Sequence, residues 1–113
     1  MTQALYTPAT FYYYMTTTAK IALECENIKT LLLEKNANYG NSALEPLNVF
    51  SKLDAAEAIQ ARIDDKLARI RNKGLNDATE DTLDDLIGYL ILLKIARGGA
   101  PIEPKTIDIG ASA

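Results

Sequence analysis

The stretch GLNDATEDTLDDLIGYLILLKIAR, residues 74–97, decides how the rest of the chain is read. It reads as one long helix with two characters. Asp81, Asp84, Asp85 and Gly88 recur at spacings of three and four, which places them on a single stripe. Leu83, Leu86, Ile87 and Leu90 form an apolar face opposite that stripe. From Leu90 to Ile95 only Lys94 interrupts an all-round apolar surface, which predicts a buried end. Carboxylates beside a buried helix are costly unless positive charge meets them, from a metal ion or from basic side chains of a neighbouring helix.

Outward from this stretch, the punctuation is that of short antiparallel helices. Gly74 ends a preceding helix, Asn76 or Asp77 caps the one that follows, and Gly98 and Gly99 terminate it. The preceding helix opens at Asp54, with Glu57 at capping-box spacing. Its core face is Ile59, Ile63, Leu67 and Ile70, while Ala58, Ala61 and Ala68 allow close approach. Arg62, Asp65, Lys66 and Arg69 fall on a further stripe. Upstream, NANYGNS (36–42) breaks a first helix that runs from about Thr17 to Lys35, with Ile21, Cys25, Ile28, Leu31 and Leu32 as its core. Pro46 starts a short turn or helical piece whose Leu47, Val49, Phe50 and Leu53 would cover one end of a bundle. Residues 1–15 carry four of the six tyrosines without a helical period and read as an extended aromatic arm. The reading is therefore all-α: an arm (1–15), an antiparallel bundle of three main helices and a short one (16–99), and an extended tail (100–113).

Composition narrows the function. With 113 residues, 48% hydrophobic and 24% charged, the chain has the make-up of one globular domain. A net charge of −3 argues against direct nucleic-acid binding, which normally shows a basic face. The single cysteine, Cys25, excludes an internal disulfide and fits a reducing cytoplasm. Its place in the first helix's apolar stripe reads as packing. No apolar run reaches the roughly 18 residues of a membrane span, and the N-terminus lacks a signal-peptide pattern. Histidine is absent, which removes the commonest general base and the usual zinc or copper ligand. Metal chemistry would then rest on carboxylates, which select Mg²⁺, Mn²⁺ or Ca²⁺; Mg²⁺ is the natural companion of phosphates.

Two stripes meet if the last two helices form an antiparallel hairpin. Asp81 and Asp85, with Asp84, would hold Mg²⁺ against a polyphosphate. Arg62, Lys66 and Arg69 would neutralise the phosphate, the arginines by paired hydrogen bonds and the lysine as a point charge. Asp65 adds a carboxylate on the same helix. Gly88 leaves space beside the stripe, either for a ligand or for a close helix contact. Tyr39 and Asn38, in the NANYGNS loop, would meet a base or close the bundle. Against this stands a bland alternative. The same spacings of Arg62, Asp65, Lys66 and Arg69 occur on any solvated helix, and acidic residues near a helix N-terminus follow from its dipole.

Three blocks, EKNANYGNS, ARIDDKLARIRN and ATEDTLDDLIGYLILL, resemble in order and wording a phage and prophage family, nucleotide modification associated domain 1. That family is itself similar to the all-α nucleoside triphosphate pyrophosphatases, the MazG-like and dimeric dUTPase-like proteins. The likeness covers roughly Leu31 to Ala96. It rests on Lys35, Asn36, Tyr39, Gly40 and Ser42, then on Arg62, Asp65, Lys66 and Arg69, then on Asp81, Thr82, Leu83, Asp85, Leu86 and Tyr89. The chain departs from MazG-like enzymes in lacking an early Glu-x-x-Glu pair: Glu24 and Glu26 share no helix face, and Glu34 stands alone. Asp81 and Asp84 occupy the later acidic spacing with aspartate in place of glutamate.

The resemblance implies a MazG-like bundle, a homo-oligomer, that binds a nucleoside triphosphate with Mg²⁺ or Mn²⁺. It implies hydrolysis between the α and β phosphates, with Glu34 orienting or deprotonating the attacking water and Asp65, Asp81, Asp84 and Asp85 as metal ligands. Two other readings stand beside it: a non-catalytic nucleotide binder, and a phage structural or assembly protein whose tails lace subunits together.

Overall fold

The computed structural model of the chain describes residues 7–75 and 81–98, and among them every regular element is a helix. Helix α1 spans Pro8–Tyr14, α2 Thr17–Tyr39, α3 Ala55–Lys73 and α4 Thr82–Ala96. Two compact units, residues 1–35 and 36–113, divide the chain, and α2 runs from the first into the second.

In the first unit, residues 8–14 are helical where the sequence predicts an extended arm. The cause is local: the Thr7 side chain accepts a hydrogen bond from the Thr10 N–H, and Pro8 sits in the first turn with its backbone angle already helical. Residues 1–6 of the arm lie outside the described residues. Thr16 caps α2 through a hydrogen bond from the Ala19 N–H to its hydroxyl. Of the predicted α2 core, Ile28 is buried and Leu31 and Leu32 are half-buried, but Ile21 and Cys25 are exposed. Periodicity reports which face is apolar, not whether anything covers it; a seven-residue α1 is too short to cover a 23-residue helix.

The second unit begins within α2. Asn36 to Tyr39 are helical rather than a break, and the helix stops at Gly40 and Asn41, both with left-handed backbone (φ 60° and 66°). Asn36 Nδ2 donates to Asn41 Oδ1 at 2.6 Å across this turn. Residues 45–53 are not helical, and Leu47, Val49 and Phe50 are exposed instead of covering a bundle end. Pro46 lacks a donor N–H and Asn48 takes a positive φ of 55°, so helical turns cannot propagate there.

Helix α3 starts and stops where predicted. Asp54 Oδ1 accepts from the Glu57 N–H at 2.8 Å, and Gly74, at φ 78°, donates its N–H to the Ile70 carbonyl. Ile59 is buried and Ile63 and Ile70 half-buried, but Leu67 is exposed. Helix α4 begins at Thr82, later than the sequence suggests, because Asp81 is its N-cap. The expected caps Asn76 and Asp77 lie outside the described residues, as does the tail from 100. Gly98, at φ 85°, closes α4 as predicted. Helices α3 and α4 pack on each other. Among the described residues no helix is long and apolar enough to cross a membrane.

Candidate functional site

The seam between α3 and α4 holds the residues that the sequence singles out. Lys66, from the middle of α3, places its Nζ 3.2 Å from Asp85 Oδ2 on the first turns of α4. The side chains retain only 18% and 16% of their exposure, so water screens the pair incompletely. The packing of α3 on α4 thus brings one residue of the basic stripe to one of the acidic stripe.

This pair fixes which side of α4 meets α3, and it is the side opposite to the one expected. Thr82 and Gly88, one turn either way from Asp85, are both buried. Leu83, Ile87 and Leu90, predicted to be the packed face, are exposed, while Leu86 is half-buried. The apolar end Leu90–Ile95, predicted to be buried, leaves Leu90, Ile91 and Ile95 substantially exposed. The reason lies in the composition of α4. It is apolar on nearly every side, so apolarity cannot select the packed face, and Lys66 removes the penalty of turning Asp85 inward.

The remaining candidates divide by position. Asp81 is committed to the backbone: its Oδ1 accepts from the Asp84 N–H at 3.0 Å, and its carbonyl accepts from the Asp85 N–H. Asp84 is half-buried in the first turn of α4, where a carboxylate also complements the helix dipole. On α3, Arg62 and Arg69 lie four residues before and three after Lys66 and so flank it on one face; Arg62 is exposed and Arg69 half-buried. Asp65 is exposed. Asn38 and Tyr39 end α2 and are exposed. Glu34 is exposed on α2 and belongs to the first unit. Among the described residues, no three carboxylate or thiol groups gather into a cluster that could hold a metal ion by themselves.

Two features went unread in the sequence. Thr82 is fully buried directly after the cap, a role its spacing of three from Asp85 could have signalled. In the first unit, Tyr12 of α1 meets α2: Lys20 Nζ lies 5.1 Å from the ring centroid. A hydrogen bond to the Glu24 carboxylate, aided by local desolvation and by the Glu24 charge, raises the Tyr12 phenol above its ordinary value of 10.0. No period connects Tyr12 to α2, so only the structure reveals the contact. No protein-family model, curated protein or solved structure matches the chain.

Proposed function

We propose that the α3–α4 hairpin is a nucleotide-binding element of the MazG-like type that the three sequence blocks resemble. The observation that carries this reading is the Lys66–Asp85 ion pair at the helix seam. Without ligand, each charge neutralises the other in a partly dehydrated place. A Mg²⁺–nucleotide complex supplies both replacements at once: its phosphate takes Lys66, and its cation takes Asp85. Arg62 and Arg69, on the same face of α3, add charge-assisted hydrogen bonds to the phosphates.

Mg²⁺ is commonly held by one or two carboxylates, with phosphates and waters completing its shell. Asp85 and the neighbouring Asp84 therefore suffice as protein donors, and no larger cluster is required. Asp81 contributes by capping the turn that carries both, which leaves its second carboxylate oxygen as a further donor. Asn38 and Tyr39 would meet the base. In the hydrolytic form of this proposal, water attacks the α phosphorus, the bond to the bridging oxygen of the β phosphate breaks, and pyrophosphate leaves. The water's proton goes to a carboxylate, the role that the resemblance implies for Glu34.

Isothermal titration of the whole chain with a panel of nucleoside triphosphates, with and without Mg²⁺, tests the proposal. Heat that requires Mg²⁺ and is lost in Asp85→Asn and Lys66→Met supports it. Pyrophosphate released in the cell makes the protein a hydrolase, and its absence makes it a non-catalytic binder. No heat with any nucleotide refutes both forms and leaves an assembly role, which the exposed apolar side of α4 favours.

A further inference from the structure

The Lys66–Asp85 pair sets two opposite charges on two different helices, and each has like charges on its own side. Arg62 and Arg69 flank Lys66 on one face of α3, and Asp84 stands beside Asp85 in the first turn of α4. An anion drawn to the seam therefore settles on α3, and a cation on α4. With 18% and 16% of their exposure left, neither member of the pair can freely exchange its partner for bulk water. A cation that takes Asp85 by itself leaves the Lys66 ammonium beside a second positive charge. A phosphate that takes Lys66 by itself leaves the Asp85 carboxylate beside another anion. A ligand that carries both charges replaces both partners in one step.

Resting on the nucleotide-binding reading of this seam, we infer that the pair selects for composition. The seam takes a divalent cation and a phosphate group together, as a complex, and refuses either ion alone. Magnesium then enters with the phosphate rather than ahead of it, and free inorganic phosphate does not compete. The pair lies between the exposed and the buried limits. Each ion alone should therefore bind about thirtyfold more weakly than to a chain that lacks the opposing charge. Linkage makes the effect reciprocal: phosphate raises the affinity for magnesium by the factor with which magnesium raises that for phosphate.

Urea unfolding of the full chain, followed by circular dichroism, tests this with magnesium alone, inorganic pyrophosphate alone and the two mixed, at matched concentration and ionic strength. A ligand that binds only the folded chain raises the unfolding midpoint. The natural chain should respond to the mixture and to neither ion alone. Lys66→Met should gain a response to magnesium alone, and Asp85→Asn a response to pyrophosphate alone. Lys66→Met/Asp85→Leu should gain neither, which sets aside general salt effects. A natural chain that ignores the mixture, or responds as strongly to one ion alone, overturns the inference whether or not the variants fold. So does a folded Lys66→Met chain that is indifferent to magnesium. Nucleotide heat alongside such a result leaves the binding proposal standing without the selection. The full urea pattern without nucleotide heat keeps the selection, for a simpler phosphate ligand, and removes the nucleotide.

Discussion

Removing either member of the Lys66–Asp85 pair tests how much of the hairpin rests on one charge contact. At 3.2 Å and an effective dielectric constant of about 20, the Coulomb attraction is about 5 kcal/mol. Desolvation of two largely covered side chains takes back most of this. Exposed pairs retain about 0.2–1 kcal/mol, and breaking a fully buried one costs about 3–5. With 18% and 16% exposure, this pair lies between those limits. Lys66→Met or Asp85→Asn should each destabilise the fold by about 2 kcal/mol. The double variant Lys66→Met/Asp85→Leu should lie within about 1 kcal/mol of the natural chain, because the two charges that meet across the seam are removed together. Urea unfolding followed by circular dichroism at one protein concentration reads this as a midpoint shift of about 1–2 M for each single variant. Additive effects in the double variant, or single losses below about 0.5 kcal/mol, would show that the pair is an ordinary solvated one. The electrostatic basis of the binding proposal would fall with it.

Three further outcomes follow from the geometry. Asp81→Ala should cost about 1 kcal/mol by removing the α4 cap, whereas Asp81→Asn should keep the cap and nearly all the stability. If Asp81 also holds Mg²⁺, the asparagine variant loses metal-dependent nucleotide heat while its unfolding curve stays in place. Gly74→Ala should cost about 1–3 kcal/mol in thermal or urea unfolding. An added methyl would meet nothing within 4 Å, so the loss comes from the backbone at φ 78° and ψ −178°; a smaller loss means that the turn relaxes. The Tyr12 phenol should ionise above 10.0, and Glu24→Gln should lower it, as followed by ring resonances of labelled tyrosine against pH. Because the folded value is raised, the contact stabilises fully below pH 10.0 and is lost as pH climbs through the folded value. Equal titration in the two proteins would remove Glu24 as the cause.

Short-range chemistry was legible in the sequence. Asp54 with Glu57, Gly74 and Gly98 each act within one turn of the backbone, and they cap or end helices where their spacing predicts. The meeting of Lys66 with Asp85 was legible too, since opposite charges on consecutive helices have few other places to go. What failed was the step from an apolar face to a covered one. Ile21, Leu67 and Leu83 all lie on predicted core faces and all stand exposed, because cover depends on the partner helix and not on the stripe itself. Asn36 failed differently. Its helix-breaking tendency is weak, and α2 absorbs it because Gly40 and Asn41 provide the left-handed exit a turn later. Glu34 and Asp65 remain candidates by sequence, since both are exposed and neither is held by a described partner helix.

The segment between α2 and α3 has a practical consequence. Phe50 is 97% exposed, Leu47 and Val49 stand beside it, and residues 45–53 include no helical turn. A protease with an aromatic or aliphatic preference can engage this stretch without unwinding a helix, so first cleavage should fall there rather than within α2, α3 or α4. The same property makes it the natural seam for splitting the gene. A fragment ending near residue 50 and one starting there would each keep their helices whole, and a tag or a guest domain inserted at Phe50 would interrupt no capped turn.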